Sequence, residues 1–143
     1  MSTTTQPDDQ LFGAEHVAAY RQTGGDRGHD WKGTTTLLLT TTGRKSGRER
    51  TTPLIYQPYG DAYLIVASKG GAPVPPEWYL NLEQEPEVGV QIRDDVFRAH
   101  ARTATPEEKP DMWSTMTATW PAYDDYQRKT DREIPIVVLE RIT

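Results

Sequence analysis

The stretch TTTLLLTTTGRKSGRERTTPLIYQ, residues 34–57, contains two strand-like runs joined by a short basic turn. Residues 34–42 are β-branched at both ends and apolar in the middle, which predicts a strand whose centre is buried on both faces. Residues 50–57 predict a second strand. Because Gly43 and Gly47 punctuate the intervening turn, the two strands are predicted to form an antiparallel hairpin.

The remaining strands follow the same alternation of apolar runs and turns. Strands are predicted at residues 34–42, 50–57, 62–68, 88–93, 96–102 and 134–142. Residues 58–61 have turn chemistry, so the first three strands are predicted to form a meander. Asp94 and Asp95 are the predicted connection of a second hairpin. Pro135 is expected at the beginning or edge of the closing strand.

Four helices are predicted between these strands. They are expected at residues 10–22, at 77–84, from Thr105 onward and from Trp120 to Arg128. The first has apolar residues at helical spacing, namely Leu11, Ala14, Val17 and Ala18. Gly24 should end it. The third opens with an N-cap threonine, Thr105, and the capping-box glutamate Glu108, and Pro110 is expected to kink or shorten it.

Six antiparallel strands in two hairpins, with helices inserted between them, indicate an α+β protein built on a small antiparallel barrel. A chain of 143 residues fits one domain. The polar residues 1–9 are predicted to be a disordered tail, and residues 10–143 a single ligand-binding domain. A barrel this small is filled by side chains, so a large ligand must lie outside it, under the helices.

The chain has no cysteine, which excludes disulfides, thiolate metal sites and thiol catalysis. His16, His29 and His100 are isolated from one another and from any metal-binding spacing, so no metal site is expected. The first ten residues lack an apolar segment, and no apolar run approaches the ~18 residues of a spanning helix. The expected location is the cytoplasm.

The basic turn is the strongest chemical signal. Residues 43–50 carry a net +3 in a chain whose formal net charge is -5, through four cations, Arg44, Lys45, Arg48 and Arg50. A local positive site on an acidic body predicts an anionic ligand, such as a phosphate-bearing small molecule. The alternative is a solvated hairpin tip that protects strand edges. Nucleic acid is disfavoured, because duplex binding usually needs several spread contacts.

Three other groups are candidates for a binding site. They are Ala67, Ser68 and Lys69 before Gly70-Gly71, then Trp78, and then the aromatic stripe Trp120, Tyr123 and Tyr126. The glycines would let the backbone approach a flat ligand, and the tyrosines would line an apolar pocket and donate protons. Each group also has a structural interpretation, as a turn with an exposed lysine, a core tryptophan or a core stripe.

Several strings of this sequence together resemble one known family. They are GHDWKG at 28–33, TTTGRKSG at 40–47, ASKGGA at 67–72, WYLNL at 78–82 and TDREIPIVV at 130–138. These strings, which are collinear from about His16 to the C-terminus, resemble the deazaflavin-dependent nitroreductases of actinobacteria. The resemblance implies a split β-barrel of the FMN-binding type that binds coenzyme F420, an 8-hydroxy-5-deazaflavin with a phospholactyl and oligoglutamate tail. It implies hydride transfer to a quinone, nitroaromatic or nitroimidazole acceptor.

The resemblance also implies roles for individual residues. Those expected to bind the cofactor are Arg44, Lys45, Arg48, Arg50, Thr51, Pro53, Ala67, Ser68, Lys69 and Trp78, with the basic side chains on the tail and the last four residues near the ring. Those expected to bind the acceptor are Ile55, Trp120, Tyr123 and Tyr126. Tyr123 and Tyr126 are also the expected catalytic residues, because a phenol can protonate the reduced acceptor.

Three residues depart from the founding nitroreductase of that family. Ile55, Glu77 and Trp120 replace tyrosine, methionine and tyrosine, and all three are expected on the acceptor side. Loss of hydroxyls and added indole bulk favour quinones over bulky nitroimidazoles. An FMN-binding split-barrel oxidoreductase and a noncatalytic binder of a phosphate ligand or nucleic acid stay open as alternatives. A homodimer is a further expectation, with at most peripheral membrane contact through the N-terminus.

Overall fold

The structure, a computed structural model, describes residues 8–142. The strands in this part are β1 Asp30–Trp31, β2 Thr34–Thr42, β3 Glu49–Ile55, β4 Gln57–Tyr59, β5 Ala62–Val66, β6 Glu87–Ile92, β7 Asp95–Thr103 and β8 Ile136–Arg141. The α-helices are α1 Gly13–Thr23, α2 Glu77–Gln84, α3 Lys109–Thr119 and α4 Ala122–Arg128. Short 3-10 turns lie at Asp8–Gln10 and Lys69–Gly71.

The strands form one curled antiparallel sheet. Its order is β1-β2-β6-β7-β8-β5-β4, and β3 pairs with β2. β3 and β4 therefore lie at distant positions in the hydrogen-bonded order, although only Tyr56 separates them in the chain. The sheet must curl to bring these two strands together, which makes an open barrel. The predicted α+β barrel is confirmed.

The predicted three-stranded meander is wrong, because residues 50–57 do not form one strand. β3 pairs with β2, as in Leu37 opposite Leu54, whereas β4 pairs with β5, as in Pro58 opposite Tyr63. Tyr56 is buried at the break, where its hydroxyl lies 2.9 Å from Nε2 of a buried histidine, His29. The buried Tyr56 side chain and its contact with His29 lie where the predicted strand is interrupted. The division and the short strand β1 raise the number from about six to eight.

The second predicted hairpin is present, but its turn lies one residue earlier than expected. Ile92 pairs with Asp95, so Arg93 and Asp94 form the connection. Arg93 has a φ of 55°, in the left-handed region. Its backbone N–H donates to the Tyr20 hydroxyl over 2.8 Å, which holds this turn against α1.

Helix α1 buries a different face from the predicted one. Its buried residues are His16 and Tyr20, whereas Ala14 and Ala18 are exposed. The hydroxyl of Tyr20 donates to the carbonyl of Thr36 over 3.0 Å, so hydrogen bonding to β2 accompanies this burial. The helix ends at a left-handed C-cap, Gly24, as predicted.

The predicted tail, residues 1–9, falls mostly outside the described residues. Its last two residues instead belong to the ordered Asp8–Gln10 turn. A carboxylate oxygen of Asp8 accepts a hydrogen bond from Arg27 Nε over 3.1 Å, and one of Asp9 accepts from the backbone N–H of Lys32 over 2.8 Å. These bonds join the turn to the segment that precedes β2.

Helix α3 begins at Lys109, so Pro110 lies in its first turn and does not kink it. The prediction that Pro110 would interrupt this helix is therefore wrong. The capping-box hydrogen bonds are nevertheless present: the Thr105 N–H donates to Glu108 Oε1 over 2.9 Å, and the Glu108 N–H donates to Thr105 Oγ1 over 3.3 Å.

Glu108 gives a testable acid dependence of stability. The Arg102 guanidinium donates to both of its carboxylate oxygens, over 2.8 and 2.9 Å, and this lowers the pKa of Glu108 from 4.5 to about 2. Because the pKa of Glu108 is lower in the folded state than in the unfolded state, its ionised carboxylate stabilises the fold at pH values above the unfolded-state pKa. That stabilisation is lost as pH falls through about 2. We expect Glu108→Gln to lower the melting temperature at neutral pH, by a difference that shrinks as pH falls and disappears only below about pH 2. A difference that stays the same as pH falls would contradict this assignment.

Two apolar cores position the helices. Alternate residues of β5 point to opposite faces, so Ile65 enters one core while Leu64 and Val66 enter the other. The second core contains Met112 and Met116 of α3 together with Tyr123 of α4. Helices α3 and α4 thus pack on the outer face of the curled sheet. Within residues 8–142, none of the helices has the length and apolar character needed to span a bilayer.

Candidate functional site

The basic turn borders a cavity of about 660 Å³, called the basic cavity below. The turn is closed by hydrogen bonds from the Gly43 N–H to the Arg48 carbonyl over 2.7 Å and from the Gly47 N–H to the Gly43 carbonyl over 2.8 Å. Gly47 adopts a φ of 74°, which a residue with a Cβ rarely does. The opposite wall is the beginning of α2.

Arg44 is neutralised within the protein. Its Nη2 lies 2.7 Å from a carboxylate oxygen of Glu77, whose pKa it lowers, and its Nη1 donates to Asn81 Oδ1 over 2.9 Å. Asn81 in turn donates to Thr41 over 3.2 Å. Glu77 therefore lies in the basic cavity, which corrects the expectation that it faces the acceptor. Arg44 and Glu77 fasten the turn to α2.

Lys45 and Arg50 also line the basic cavity, and neither forms an ion pair within residues 8–142. Arg48 does not line the cavity, so the structure does not bring it together with the other cations. Thr51 does line it, and its hydroxyl accepts a hydrogen bond from Arg21 Nη2 over 2.8 Å. The cavity thus presents two cations that form no ion pair in the described part of the chain, although two carboxylates, Glu49 and Glu77, also line it.

An apolar cavity of about 530 Å³ lies beside the barrel. Its lining includes many of the residues predicted for the ring and the acceptor, namely Pro53, Ile55, Ser68, Lys69, Trp78, Trp120, Tyr123 and Tyr126. Ala67 is absent from the lining because its side chain is buried in the barrel core and its backbone N–H donates to the Pro135 carbonyl over 3.0 Å. The predicted contact through Ala67 is therefore not supported.

The two cavities share walls. Thr52 and Trp78 line both of them, so the basic turn and the aromatic residues border adjoining spaces. The Trp78 indole is buried and packs edge-on against Tyr79. Together the cavities form a groove, called the composite groove below, with two cations at one end and apolar walls at the other.

Tyr123 occupies the apolar end of the groove. Burial and the neighbouring Tyr126 raise the pKa of its hydroxyl well above the usual 10.0. This hydroxyl has no hydrogen-bond partner within residues 8–142. Every fully buried side-chain oxygen or nitrogen in that range has a partner, so the Tyr123 hydroxyl is not fully buried, and Tyr123 lines the apolar cavity. The Tyr126 hydroxyl, by contrast, accepts a hydrogen bond from Trp120 Nε1 over 3.4 Å. Tyr123 is thus a protonated donor available to a ligand.

Several lining residues were not predicted from the sequence. Trp31 stacks on Trp120 with ring centroids 6.0 Å apart, and its Nε1–H donates to the Leu11 carbonyl over 3.0 Å. His16 lines the cavity from α1, next to Phe12, which is 81% exposed. The string GHDWKG, which carries Trp31, was the only signal that marked any of them.

Residues 13–141 match the model of the F420H(2)-dependent quinone reductase family. An F420H(2)-dependent quinone reductase of Mycobacterium tuberculosis is 44% identical over 131 residues, which cover 88% of this chain and 87% of the relative. A putative F420H(2)-dependent quinone reductase of the same organism is 34% identical over 104 residues, which cover 73% of this chain and 87% of the relative.

Solved structures are also similar to this chain. An F420-H2 dependent reductase is 42% identical, with a TM-score of 0.68 over 73% of this chain and 93% of that chain. A domain-swapped dimer is also 42% identical at the same TM-score, over 73% of this chain and 79% of that chain. The haem-storage protein HutZ of Vibrio cholerae, 15% identical with a TM-score of 0.59 over 93% of this chain and 92% of that chain, shares the fold. The chain belongs to the F420H(2)-dependent quinone reductase family.

Proposed function

We propose that this protein reduces a quinone at the expense of reduced coenzyme F420, with the cofactor lying along the composite groove. The observation that carries the proposal is the shared wall of Thr52 and Trp78, which joins a cavity lined by Lys45 and Arg50, two cations outside any ion pair in residues 8–142, to an apolar cavity lined by the Tyr123 phenol. A ligand with a polyanionic tail and a flat ring system fits that combination. When bound, reduced F420 supplies the hydride.

The basic end would hold the phosphate and glutamate tail. Lys45 and Arg50 have no ion-pair partner in the described residues, so their charge is available to a ligand. Because Arg44 is already paired with Glu77, its role is to hold the turn against α2. Arg48 lies outside the cavity lining and adds only general positive charge.

The apolar end would hold the ring system. Pro53 and Trp78 give it apolar walls, while Ser68 and Lys69 border it with polar side chains. Gly70 lines the same cavity and has no side chain, so the backbone of that turn can approach a flat ligand closely. These contacts would orient the ring beside the tyrosines of α4.

The acceptor would lie among Ile55, Trp120, Tyr123 and Tyr126. The Tyr123 hydroxyl lines the apolar cavity and is protonated at physiological pH, as tyrosine ordinarily is, so Tyr123 can donate a proton to an oxygen of the reduced quinone. The indole of Trp120 donates to Tyr126 and stacks on Trp31, so this side of the pocket is a rigid aromatic wall.

We expect Trp120→Ala to change acceptor selectivity. Removing the indole deletes the wall that Trp31 supports, so kcat/KM for a bulky nitroimidazole should rise relative to a small quinone by roughly 10-fold. The F420 dissociation constant should stay within about threefold of the wild type, because the ring and tail of F420 are assigned to other residues and Trp120 to the acceptor. Tyr59→Ala is the control for loss of a partly buried aromatic side chain, since Tyr59 bonds to Asp111 and lines neither cavity of the composite groove. An unchanged acceptor ratio in Trp120→Ala would contradict this role.

Binding and turnover together test the proposed function. The purified protein is titrated with F420, FMN and a duplex oligonucleotide at two salt concentrations, and oxidation of reduced F420 is followed with menadione as acceptor. We expect binding of F420 and menadione-dependent oxidation. Tight FMN binding without F420 binding would instead support a flavin enzyme, and binding of DNA alone would support a noncatalytic role.

A further inference from the structure

Arg132 lies between α4 and β8 and contacts the turn that borders the ring end of the groove. Its guanidinium donates to the Ala72 carbonyl from Nε over 2.8 Å, to the Ser68 carbonyl from Nη2 over 2.8 Å, and to the Ala67 carbonyl from Nη1 and Nη2 over 3.3 Å. No carboxylate within residues 8–142 pairs with it. A planar fork that bonds three carbonyls of one turn fixes the path of that turn.

The turn needs such support because its backbone is strained. Lys69 has a φ of 46° and Gly70 a φ of 63°, both in the left-handed region. A non-glycine residue there costs free energy and persists only where its surroundings hold it. Arg132 bonds the carbonyls on both sides of these two residues, those of Ser68 and Ala72.

The same turn packs closely against α4, which carries Tyr123 and Tyr126. A Cβ added at Gly71 would lie 2.5 Å from the carbonyl oxygen of Tyr126, so the two backbones are too close for a side chain to fit between them. Gln127 of α4 donates through Nε2 to the Arg132 carbonyl over 2.8 Å and accepts the Ile134 N–H at Oε1 over 2.9 Å. Arg132 is thus bonded to the turn by its side chain and to α4 by its backbone.

We propose that Arg132 is a positioning residue that sets the distance between the Ser68–Gly70 turn and the tyrosines of α4. The proposal rests on the proposed function, because these two elements border the ring site and the acceptor site. Arg132 does not line the apolar cavity, so we assign it no contact with either reactant.

The test compares Arg132→Met and Arg132→Lys with the wild type. In the cofactor-free protein, amide hydrogen exchange of Gly71 and Ala72, which bond to the carbonyls of Ser68 and Lys69, should accelerate by roughly tenfold or more. Single-turnover oxidation of reduced F420 by menadione should slow by roughly 100-fold, whereas the F420 dissociation constant should rise by less than about tenfold. Arg132→Lys should behave like Arg132→Met, because an ammonium cannot reproduce the fork.

Arg102→Met is the matched control, because it removes the bidentate bond to Glu108, and neither residue lines a cavity of the composite groove. It should lower the melting temperature and leave both loop exchange and turnover unchanged. Wild-type exchange and turnover in the Arg132 variants, or equal losses in Arg102→Met, would overturn the proposal. A wild type that neither binds F420 nor oxidises its reduced form would contradict the proposed function, while the exchange measurement still tests the support of the turn.

Gly71→Ala tests the same geometry if the Arg132 variants fail to fold. The added Cβ would push the turn away from Tyr126, so turnover should slow while tail binding persists. Gly60→Ala is its control, since Gly60 has a φ of 59° and open space around the added Cβ. Equal turnover in both glycine variants would count against the proposal.

Discussion

Replacing Lys45 and Arg50 together with alanine is expected to raise the F420 dissociation constant by roughly 100-fold at low salt. Each cation would lose a charge-assisted contact with the tail, at roughly 1.4 kcal/mol apiece, and each such loss is about tenfold in affinity. Wild-type affinity should fall as salt rises, and the variant should respond less steeply, because exposed charges are screened. The melting temperature should change little, since both residues are exposed. Fluorescence titration of F420 measures all of these affinities.

Arg98→Ala combined with Arg128→Ala controls for the change in net charge. These two exposed arginines pair with Glu87 and Asp125 and lie outside both cavities of the composite groove. The control should retain wild-type affinity and salt dependence within about threefold, because rim charges have small effects. An F420 affinity unaffected by loss of Lys45 and Arg50 would make the basic turn a charged hairpin tip and nothing more.

Tyr123→Phe is expected to lower the rate of acceptor reduction by roughly 100-fold or more, because it removes the proton donor and leaves the ring in place. The F420 dissociation constant should not change, since phenylalanine keeps the aromatic ring in the apolar cavity and Tyr123 is assigned to the acceptor. The raised pKa of Tyr123 also predicts that the wild-type rate shows no loss of this proton donor as pH rises through the ordinary tyrosine range near 10.

Tyr126→Phe is the comparison for that experiment. The Tyr126 hydroxyl accepts a hydrogen bond from Trp120, so its removal should slow turnover only modestly, by less than about tenfold. Rapid-reaction measurements with reduced F420 and menadione separate the two rates. Unchanged turnover in both variants, with intact cofactor affinity, would show that neither phenol is the proton donor.

The parts of the fold that local chemistry dictates were predictable. Leu37, Leu38 and Leu39 at the apolar centre of TTTLLLTTT are all buried, so both faces of β2 are covered there, and the glycines of the basic turn permit the predicted hairpin. The break at Tyr56 was not predictable in the same way. It depends on a hydrogen bond to His29, which is remote in sequence, whereas the local pattern on either side of Tyr56 continues unchanged.

Helix α1 shows the same limitation for burial. Apolar spacing selected Ala14 and Ala18, but the structure buries His16 and Tyr20. Both have polar groups that hydrogen-bond to groups outside the helix: His16 Nε2 lies 2.9 Å from the Gly28 carbonyl, and the Tyr20 hydroxyl donates to the Thr36 carbonyl and accepts the Arg93 N–H. A polar residue can be buried wherever such partners exist, and a sequence pattern does not reveal them.

For the site, the residue types were predictable and their pairings were not. The cluster of cations and the aromatic stripe were visible in the sequence, and most of their members line the composite groove. Neutralisation of Arg44 by Glu77 and the support of the Ser68–Gly70 turn by Arg132 both join residues from different elements. Such long-range contacts decide which cations are available to a ligand and which hold the fold.

The most direct test of the composite groove compares two ligands on the wild-type protein. One is F420, and the other is the same deazaflavin without its phosphate and glutamate tail, each titrated at low salt. If one ligand spans both cavities, F420 should bind roughly 100-fold more tightly than the tail-free ring, and the difference should shrink as salt rises. Equal affinities for the two ligands at low salt would contradict binding of F420 along the composite groove.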